Sequence, residues 1–340
     1  MLAITGAAMN TRRSLLVLAL AALPAVSAFA EAKRVLVCTV TAGFRHSSIP
    51  WAEKALQKIG RESGAFTVVG FVQQPDIQVP QAPRKPKDLD ATADEGAKKR
   101  YANDIKKYEE AMAKWTPEVQ ADAKAKQEAL AAGMKKNLER LSPANLVAEK
   151  IDGVIFANTT GELPLPDRDG FIKWIEDGHA FMGMHSASDT FHPFRGYIEM
   201  LQGEFETHKA QVPADLIAGD TAHPANAGIG AKWDLAQEEM YIIKSQDRSK
   251  VRSLWFMRHH PNDAADQRHF PVSWCRKAGT GKVFYTSLGH REDLWSDSPE
   301  IKDRKNSVEL SKQYQAHILG GIKWALGLAE GSSEPNPEVK

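Results

Sequence analysis

Histidines occur just beyond several predicted strands, where they could carry out acid–base or metal chemistry. His46 follows the first predicted strand, His185 the fourth and His290 the last. Imidazole exchanges protons near neutral pH and is the commonest protein ligand for many metals. Because open α/β sheets bind ligands at the carboxyl ends of their strands, we expect these three side chains to meet in one cleft.

Two kinds of chemistry fit this pattern of residues. For acid–base catalysis, the candidates are His185, His46, His290 and Glu238. Two or three neutral imidazoles with one carboxylate could instead hold zinc or another divalent metal. The metal candidates are His46, His185, His208 and Glu206. Because these residues are far apart in the chain, both hypotheses stay open. A third alternative is that the residues form a hydrogen-bonded polar cluster without catalytic or metal-binding function. No nucleotide cofactor is expected.

The segment 183–189, Gly-Met-His-Ser-Ala-Ser-Asp, is the most distinctive local pattern. A predicted strand runs into Gly183, and small residues follow at Ser186 and Ala187. This spacing is similar to a nucleophile elbow, in which a strained turn exposes one side chain, here His185. Histidine is a poor acyl-transfer nucleophile but a good base, acid or metal ligand. No Ser-His-Asp order supports a serine hydrolase.

The elements that must position these residues alternate between strands and helices. Apolar, β-branched runs predict strands at 34–40, 67–72, 151–157, 180–184, 212–218, 239–243, 251–257, 270–275 and 282–287. Helices are predicted to begin at Ser47 or Ser48, with Pro50 in the first turn, and to span 166–178 and 314–326. The order predicts an α/β fold with a flavodoxin-like parallel sheet and extra strands in its second half.

Residues 80–141 interrupt this alternation and predict an inserted helical hairpin. Tyr101, Ile105 and Tyr108 begin an apolar seam with helical spacing, and Thr116 with Pro117 predicts the start of a second helix. The hairpin could be a solvated spacer that docks on its own domain. It could also be a lid, or an arm that binds a second copy or another protein.

The N-terminus predicts export. Arg12 and Arg13 precede a short apolar run, and Ala28 and Ala30 frame a cleavage pattern, so residues 1–30 are predicted to be a Sec or twin-arginine signal peptide. We expect a periplasmic or secreted protein without a membrane span after cleavage. Either Met1 or Met9 could be the start.

Composition and cysteine usage narrow the remaining classes. The 44 basic and 43 acidic residues nearly cancel, which gives no electrostatic case for nucleic acid as a partner. Cys38 and Cys275 lie in strand-like runs and are predicted to be buried thiols. One α/β domain is predicted over 31–330, followed by a disordered tail over 331–340.

Taken in order, several motifs resemble the ThuA family of trehalose-utilisation proteins. They lie at residues 41–46, 158–163, 183–189, 203–208, 238–241, 281–291 and 317–326. The resemblance implies a class I glutamine amidotransferase-like fold in which His185 occupies the elbow position of the catalytic cysteine. Glutamine hydrolysis by a thiolate is therefore disfavoured. The hairpin insertion departs from the short loop that is usual there.

The resemblance also implies a small sugar-derived ligand, because the family is associated with disaccharide use beside dehydrogenases that form 3-keto sugars. A ketone acidifies the neighbouring C–H bonds, so a base and an acid could carry out elimination with hydration, or isomerisation, which makes a hydrolase, lyase or isomerase the expected kind of enzyme. The expected substrate-binding residues are Phe44, Arg45, Glu162, Ser186, Asp189 and Arg291. The alternative is a non-catalytic carbohydrate-binding or envelope interaction module.

Overall fold

A computed structural model describes residues 1–3, 5–6, 32–263 and 265–339. The predicted signal peptide at 1–30 lies, apart from its first few residues, outside the described residues. The chain divides into two compact units, Met1–Glu31 and Ala32–Lys340, and the second contains all the elements below. In the described part of the chain, no helix is both long enough and apolar enough to cross a bilayer.

The second unit is built on a mixed sheet. Within the described residues its order is β2-β1-β3-β4-β11-β10-β9-β6-β7, and β5 and β8 form a separate two-stranded ribbon. The strands are β1 (Lys33–Cys38), β2 (Phe66–Val72), β3 (Gly153–Ala157), β4 (Ala180–Met184), β5 (Glu204–His208), β6 (Val212–Ala218), β7 (Lys232–Glu238), β8 (Tyr241–Lys244), β9 (Arg252–Met257), β10 (Phe270–Ala278) and β11 (Gly281–Thr286).

Pairing within the sheet changes direction at β11. The strands from β2 to β11 are parallel, whereas β10, β9, β6 and β7 continue the sheet in antiparallel pairs. The first five strands therefore have the flavodoxin-like order 2-1-3-4-5, which confirms the predicted fold class. Their carboxyl ends lie along one edge, and the loops that leave this edge carry His46, His185 and His290.

Helices cover both faces of the sheet. They are α1 (Ile49–Ser63), α2 (Glu95–Lys114), α3 (Pro117–Leu138), α4 (Pro143–Ala148), α5 (Arg168–Glu176), α6 (Arg195–Leu201), α7 (Glu292–Trp295) and α8 (Val308–Ala325). Successive residues of β1 point to opposite faces, so Val35 and Val37 join the core under α1 and α8. Leu36 and Cys38 join the core under α3 to α6. Both cysteines are buried and unpaired.

The sequence did not predict β7, and β8 begins two residues later than expected. Trp233 and Leu235 are buried in β7 while their neighbours Lys232 and Asp234 are exposed. Two apolar residues in a short alternating edge strand give a weak signal. The later start of β8 matters, because it leaves Glu239 in the link between β7 and β8.

Two adjacent glycines let α8 approach the turn at Pro224 and strand β11 closely. A Cβ atom at Gly320 would lie 2.1 Å from the backbone oxygen of Pro224, and one at Gly321 would lie 2.4 Å from the Phe284 ring. We predict that Gly320→Ala destabilises the protein by about 1–3 kcal/mol, because the backbone of Pro224 must move. Urea unfolding measures the change, and Gly96→Ala, at an exposed position of α2 where only flexible side-chain atoms of Asp94 and Arg100 lie nearby, is the control and should change stability far less.

The insertion consists of α2 and α3, and Thr116 caps α3 by accepting from Val119 N–H. The C-terminal half of α3 packs on the sheet through Met134 and Leu138. By contrast, none of the residues described in α2 is buried. The end of α3 therefore packs on its own domain, as one of the predicted alternatives has it. A role of α2 as a lid or as an arm that binds a partner stays a prediction.

The C-terminal tail, 331–340, is described up to residue 339 and lies against β9, although its composition predicts disorder. Asn336 is only 5% exposed. Its side chain pairs with backbone atoms of Ser253 and Gly219, and Arg248 donates to backbone carbonyls of the tail. The side-chain amide of Asn336 makes hydrogen bonds with β9 of the kind that a neighbouring strand would make. Such a contact cannot be predicted from the composition of the tail.

Candidate His/Glu metal site

The turn after β4 places His185 at the centre of the site. His185 has a φ of +51°, an uncommon left-handed conformation for a residue other than glycine. Its side chain is fully buried, and Nδ1 lies 2.8 Å from the backbone oxygen of Ser287. Because a carbonyl only accepts, Nδ1 carries the proton and the lone pair of Nε2 faces the site.

His46 reaches the same point from the loop after β1. Its Nε2 lies 3.2 Å from His185 Nε2, and its Nδ1 lies 3.4 Å from Ser186 Oγ. The amide of Asn158, after β3, donates to Ser48 Oγ and to the backbone oxygen of Gly289. This amide joins three loops at the carboxyl edge and so holds His46 beside His185.

Glu238 holds the third loop rather than the reacting groups. It is fully buried, and its carboxylate accepts from the backbone N–H groups of His290 and Arg291. Burial raises the pKa of Glu238 to about 7, although those two N–H groups oppose the rise. The carboxylate that the sequence predicts to be catalytic thus lies under the loop that presents His290.

Glu239 is the carboxylate that enters the site, although it is not among the residues predicted from the sequence. Its Oε2 lies 3.1 Å from His290 Nδ1 and 3.8 Å from His185 Nε2, and its Oε1 lies 3.0 Å from His208 Nδ1. Glu238 ends β7, and the next residue projects into the site. The acidic pair before Tyr241 was the signal available in the sequence. To choose Glu239 over Glu238, however, one must know at which residue β7 ends.

His46, His185, His290 and Glu239 form what we call the His/Glu cluster. One ligand atom from each residue lies within 4.8 Å of all the others. His290 Nδ1 is buried without an aligned hydrogen bond, and the single lone pair of His185 Nε2 faces both His46 Nε2 and the Tyr241 hydroxyl. Three imidazoles and a carboxylate are a donor set that suits zinc and similar divalent metals, so this cluster could hold one.

The electrostatics of the cluster keep two imidazoles neutral. Burial, followed by repulsion from His290, lowers the pKa of His46 to about 4. Burial and repulsion from His46 lower the pKa of His185 well below its ordinary value. For His290, burial opposes the charge, but Glu239 and Glu238 outweigh it and raise the pKa. A neutral imidazole with a free lone pair is the form that binds a metal.

Tyr241 supplies a hydroxyl group beside the cluster. Its oxygen lies 2.9 Å from His185 Nε2. Burial and the neighbouring Glu239 raise the pKa of Tyr241 well above its ordinary value, so the phenol stays protonated and can donate a hydrogen bond.

Two of the four predicted metal ligands lie outside the cluster. Glu206 is exposed on β5, because the bulged strand turns this residue toward solvent. His208, at the end of β5, contacts Glu239 but is not one of the four grouped residues. The structure thus retains His46 and His185 of the predicted set and replaces the other two by His290 and Glu239.

Several predicted substrate-binding residues are occupied by contacts within the protein. Glu162 pairs with Arg168, and Asp189 pairs with His192. Arg45 donates to the backbone oxygen of Thr39. Arg291 is 9% exposed and is held by Asp293, so it supports the loop instead of facing a ligand.

Phe44 and Ser186 do border the cluster. Phe44 is 66% exposed, and its ring meets the His46 ring edge-on at 4.8 Å between centroids. Thr160 holds the backbone of this loop on both sides of Phe44, because its hydroxyl donates to Phe44 O and accepts from Gly43 N–H. Phe44 therefore offers a fixed aromatic surface at the mouth of the site.

The parallel order of these strands and the elbow at the end of β4 fit a class I glutamine amidotransferase-like fold, here with histidine at the elbow. The family model for ThuA, described as trehalose utilisation, matches residues 34–325. The chain belongs to the ThuA family.

Solved structures share this fold at low sequence identity. A ThuA-like protein from Parabacteroides merdae ATCC 43184 is 14% identical, with a TM-score of 0.56 over 91% of this chain and 99% of that one. A ThuA-like protein from Bacteroides uniformis ATCC 8492 is 14% identical, with a TM-score of 0.50 over 94% of this chain and 100% of that one. No curated protein matches the sequence.

Proposed function

We propose that the protein is a metal-dependent enzyme that processes a sugar derivative carrying a ketone, such as a 3-keto glycoside, at the His/Glu cluster. The convergence of three imidazoles and one carboxylate at the carboxyl edge of the sheet carries this proposal. The description of the family as trehalose utilisation supports a sugar substrate. The exported location predicted by residues 1–30 stays a prediction.

The cluster residues would hold a zinc-like divalent metal, which when bound polarises a carbonyl or hydroxyl oxygen of the substrate. His185 contributes Nε2, because Ser287 fixes its other nitrogen as a donor. Glu239 is held by contacts to two histidines on either side, His208 and His290. A partner that orients a ligand in this way typically changes metal affinity or activity 10–100-fold when it is removed.

Two groups beside the cluster are suited to proton transfer. His208 is the imidazole near Glu239 that remains outside the metal ligands, and its side chain is 42% exposed. It would accept the proton from the carbon next to the ketone. Tyr241 stays protonated and would donate to the departing glycosidic oxygen. The C–H and C–O bonds break and a C=C bond forms, while His208 gains a proton and the departing sugar leaves as an alcohol with the proton of Tyr241. Water then adds to the C=C bond: its hydroxyl joins the carbon that lost the glycosidic oxygen, its proton restores Tyr241, and His208 returns its proton to the neighbouring carbon.

Phe44 is suited to pack against the apolar face of a sugar ring. We predict that Phe44→Ala raises KM up to about tenfold while kcat stays nearly constant, because an aromatic contact contributes about 0.5–1.5 kcal/mol to binding. Steady-state kinetics measure both constants. Phe44→Tyr retains the ring and is the matched control; an equal loss in both variants would argue against stacking.

The direct test of the proposed function uses the mature protein, stripped of metal with a chelator and then restored with Zn²⁺ or Mn²⁺. We expect turnover of 3-keto disaccharides only after restoration, and no turnover of the unoxidised disaccharides. Equal turnover without metal would overturn the metal-dependent mechanism. Sugar binding without turnover under every condition would instead establish a non-catalytic binding module.

A further inference from the structure

A second charged cluster lies around His192, between the elements that carry the site. His192 Nδ1 lies 2.9 Å from Glu204 Oε1, and Nε2 lies 2.7 Å from Asp189 Oδ1. Lys244 lies 3.1 Å from Glu204, and Ser245 Oγ donates to the same carboxylate. Ionised carboxylates only accept hydrogen bonds, so each ring nitrogen must donate, and only the charged imidazolium has two N–H groups.

The two carboxylates belong to different structural elements. Asp189 ends the turn of residues 185–189, which begins with His185. Glu204 begins β5, and β5 pairs with β8 in the ribbon. The opposite end of this ribbon is the pair His208–Tyr241, whose side chains face Glu239 and His185. His192 therefore joins the turn to the ribbon at the end away from the cluster.

We infer that His192 is a positioning residue that, as an imidazolium between Asp189 and Glu204, clamps the His185 turn to the ribbon carrying Tyr241. The inference rests on the proposed function for its effect on turnover, whereas the clamp itself is a property of the fold. The neutral imidazole has a single N–H group, so it can donate to only one of the two carboxylates and no longer joins them.

The clamp makes the alignment of the site depend on pH. Burial opposes the charge on His192, but hydrogen bonds to Glu204 and Asp189 outweigh it and raise the pKa above its ordinary value of 6.5. A raised pKa means that the stabilisation is fully present below pH 6.5 and is lost as pH rises through the higher folded-state value. The side chain is 37% exposed, so its proton exchanges with solvent.

The test compares wild type with His192→Gln across pH 5.5–9, using the metal-loaded protein and a 3-keto disaccharide. We expect the variant to lose about tenfold in kcat at pH 6, with KM unchanged, because a displaced supporting group typically costs 10–100-fold. The ratio of wild type to variant should approach one as wild-type His192 loses its proton. His259→Gln, on an exposed histidine, is the control.

Equal kcat values at pH 6, or a tenfold loss that persists unchanged to pH 9, would overturn the inference. If His192→Gln does not fold, Asp189→Asn removes one carboxylate charge with little change in shape and must show the same convergence. If wild type has no turnover, the proposed function fails separately, and the melting temperature decides. In that case the clamp predicts that wild type has a higher Tm than the variant at pH 6 and that this difference disappears at high pH.

Discussion

Replacing His185 by asparagine is expected to lower zinc affinity by more than about 100-fold and to reduce sugar turnover to the background rate. His185 is fully buried and contributes the one ring nitrogen that faces His46, Tyr241 and Glu239 together. Removal of a group that only supports a metal ligand already costs about 10–100-fold, so loss of a ligand should cost more. Competition with a chromophoric zinc chelator measures the affinity.

Asparagine suits this position because it tolerates the left-handed backbone that His185 adopts. Far-UV circular dichroism and the melting temperature of the apo protein establish that the variant folds. His259→Asn, at an exposed histidine, is the matched control and should bind zinc with wild-type affinity. Wild-type zinc affinity in a folded His185→Asn variant would contradict the assignment of the cluster.

The largest expected effect on stability comes from Asp293, next to the loop that carries His290. Asp293 has no exposed side-chain surface and pairs with Arg291. It also accepts from the backbone N–H groups of Lys305 and Asn306. We predict that Asp293→Asn destabilises the protein by about 3–5 kcal/mol, because the Arg291 charge stays buried without its partner. Urea unfolding at pH 7 measures this loss.

The sign of the pH dependence follows from the pKa of Asp293. Burial opposes ionisation, but Arg291 and Asn306 outweigh it and lower the pKa below its ordinary value of 3.8. The stabilisation is therefore fully present above pH 3.8 and is lost as pH falls through the lower folded-state value. Asp303→Asn, at an exposed pair with Lys305, should change stability by less than about 1 kcal/mol. Similar losses in both variants would contradict a special role for Asp293.

The sequence predicts the parallel half of the fold well. Strand β4 matches its predicted bounds to the residue, and Pro50 lies in the first turn of α1 as expected. Continuous apolar runs buried on both faces give a strong signal. The antiparallel half is harder to predict, because an edge strand such as β7 needs only Trp233 and Leu235 on its buried side.

The residues of the candidate site also differ in how well the sequence predicts them. His46, His185 and His290 could be predicted, because each lies in a loop that leaves a parallel strand and such loops meet at one edge. Glu239 could not be distinguished from Glu238, because a shift of one residue at the end of β7 reverses which side chain faces the site.

The most direct test of the metal site is a crystal structure of the zinc-loaded protein with anomalous data collected on both sides of the zinc absorption edge. We predict a single strong anomalous peak about 2.0–2.2 Å from the ring nitrogens of His46, His185 and His290 and from a carboxylate oxygen of Glu239. An empty cluster in a zinc-saturated crystal, or a peak only at other residues, would contradict the proposal.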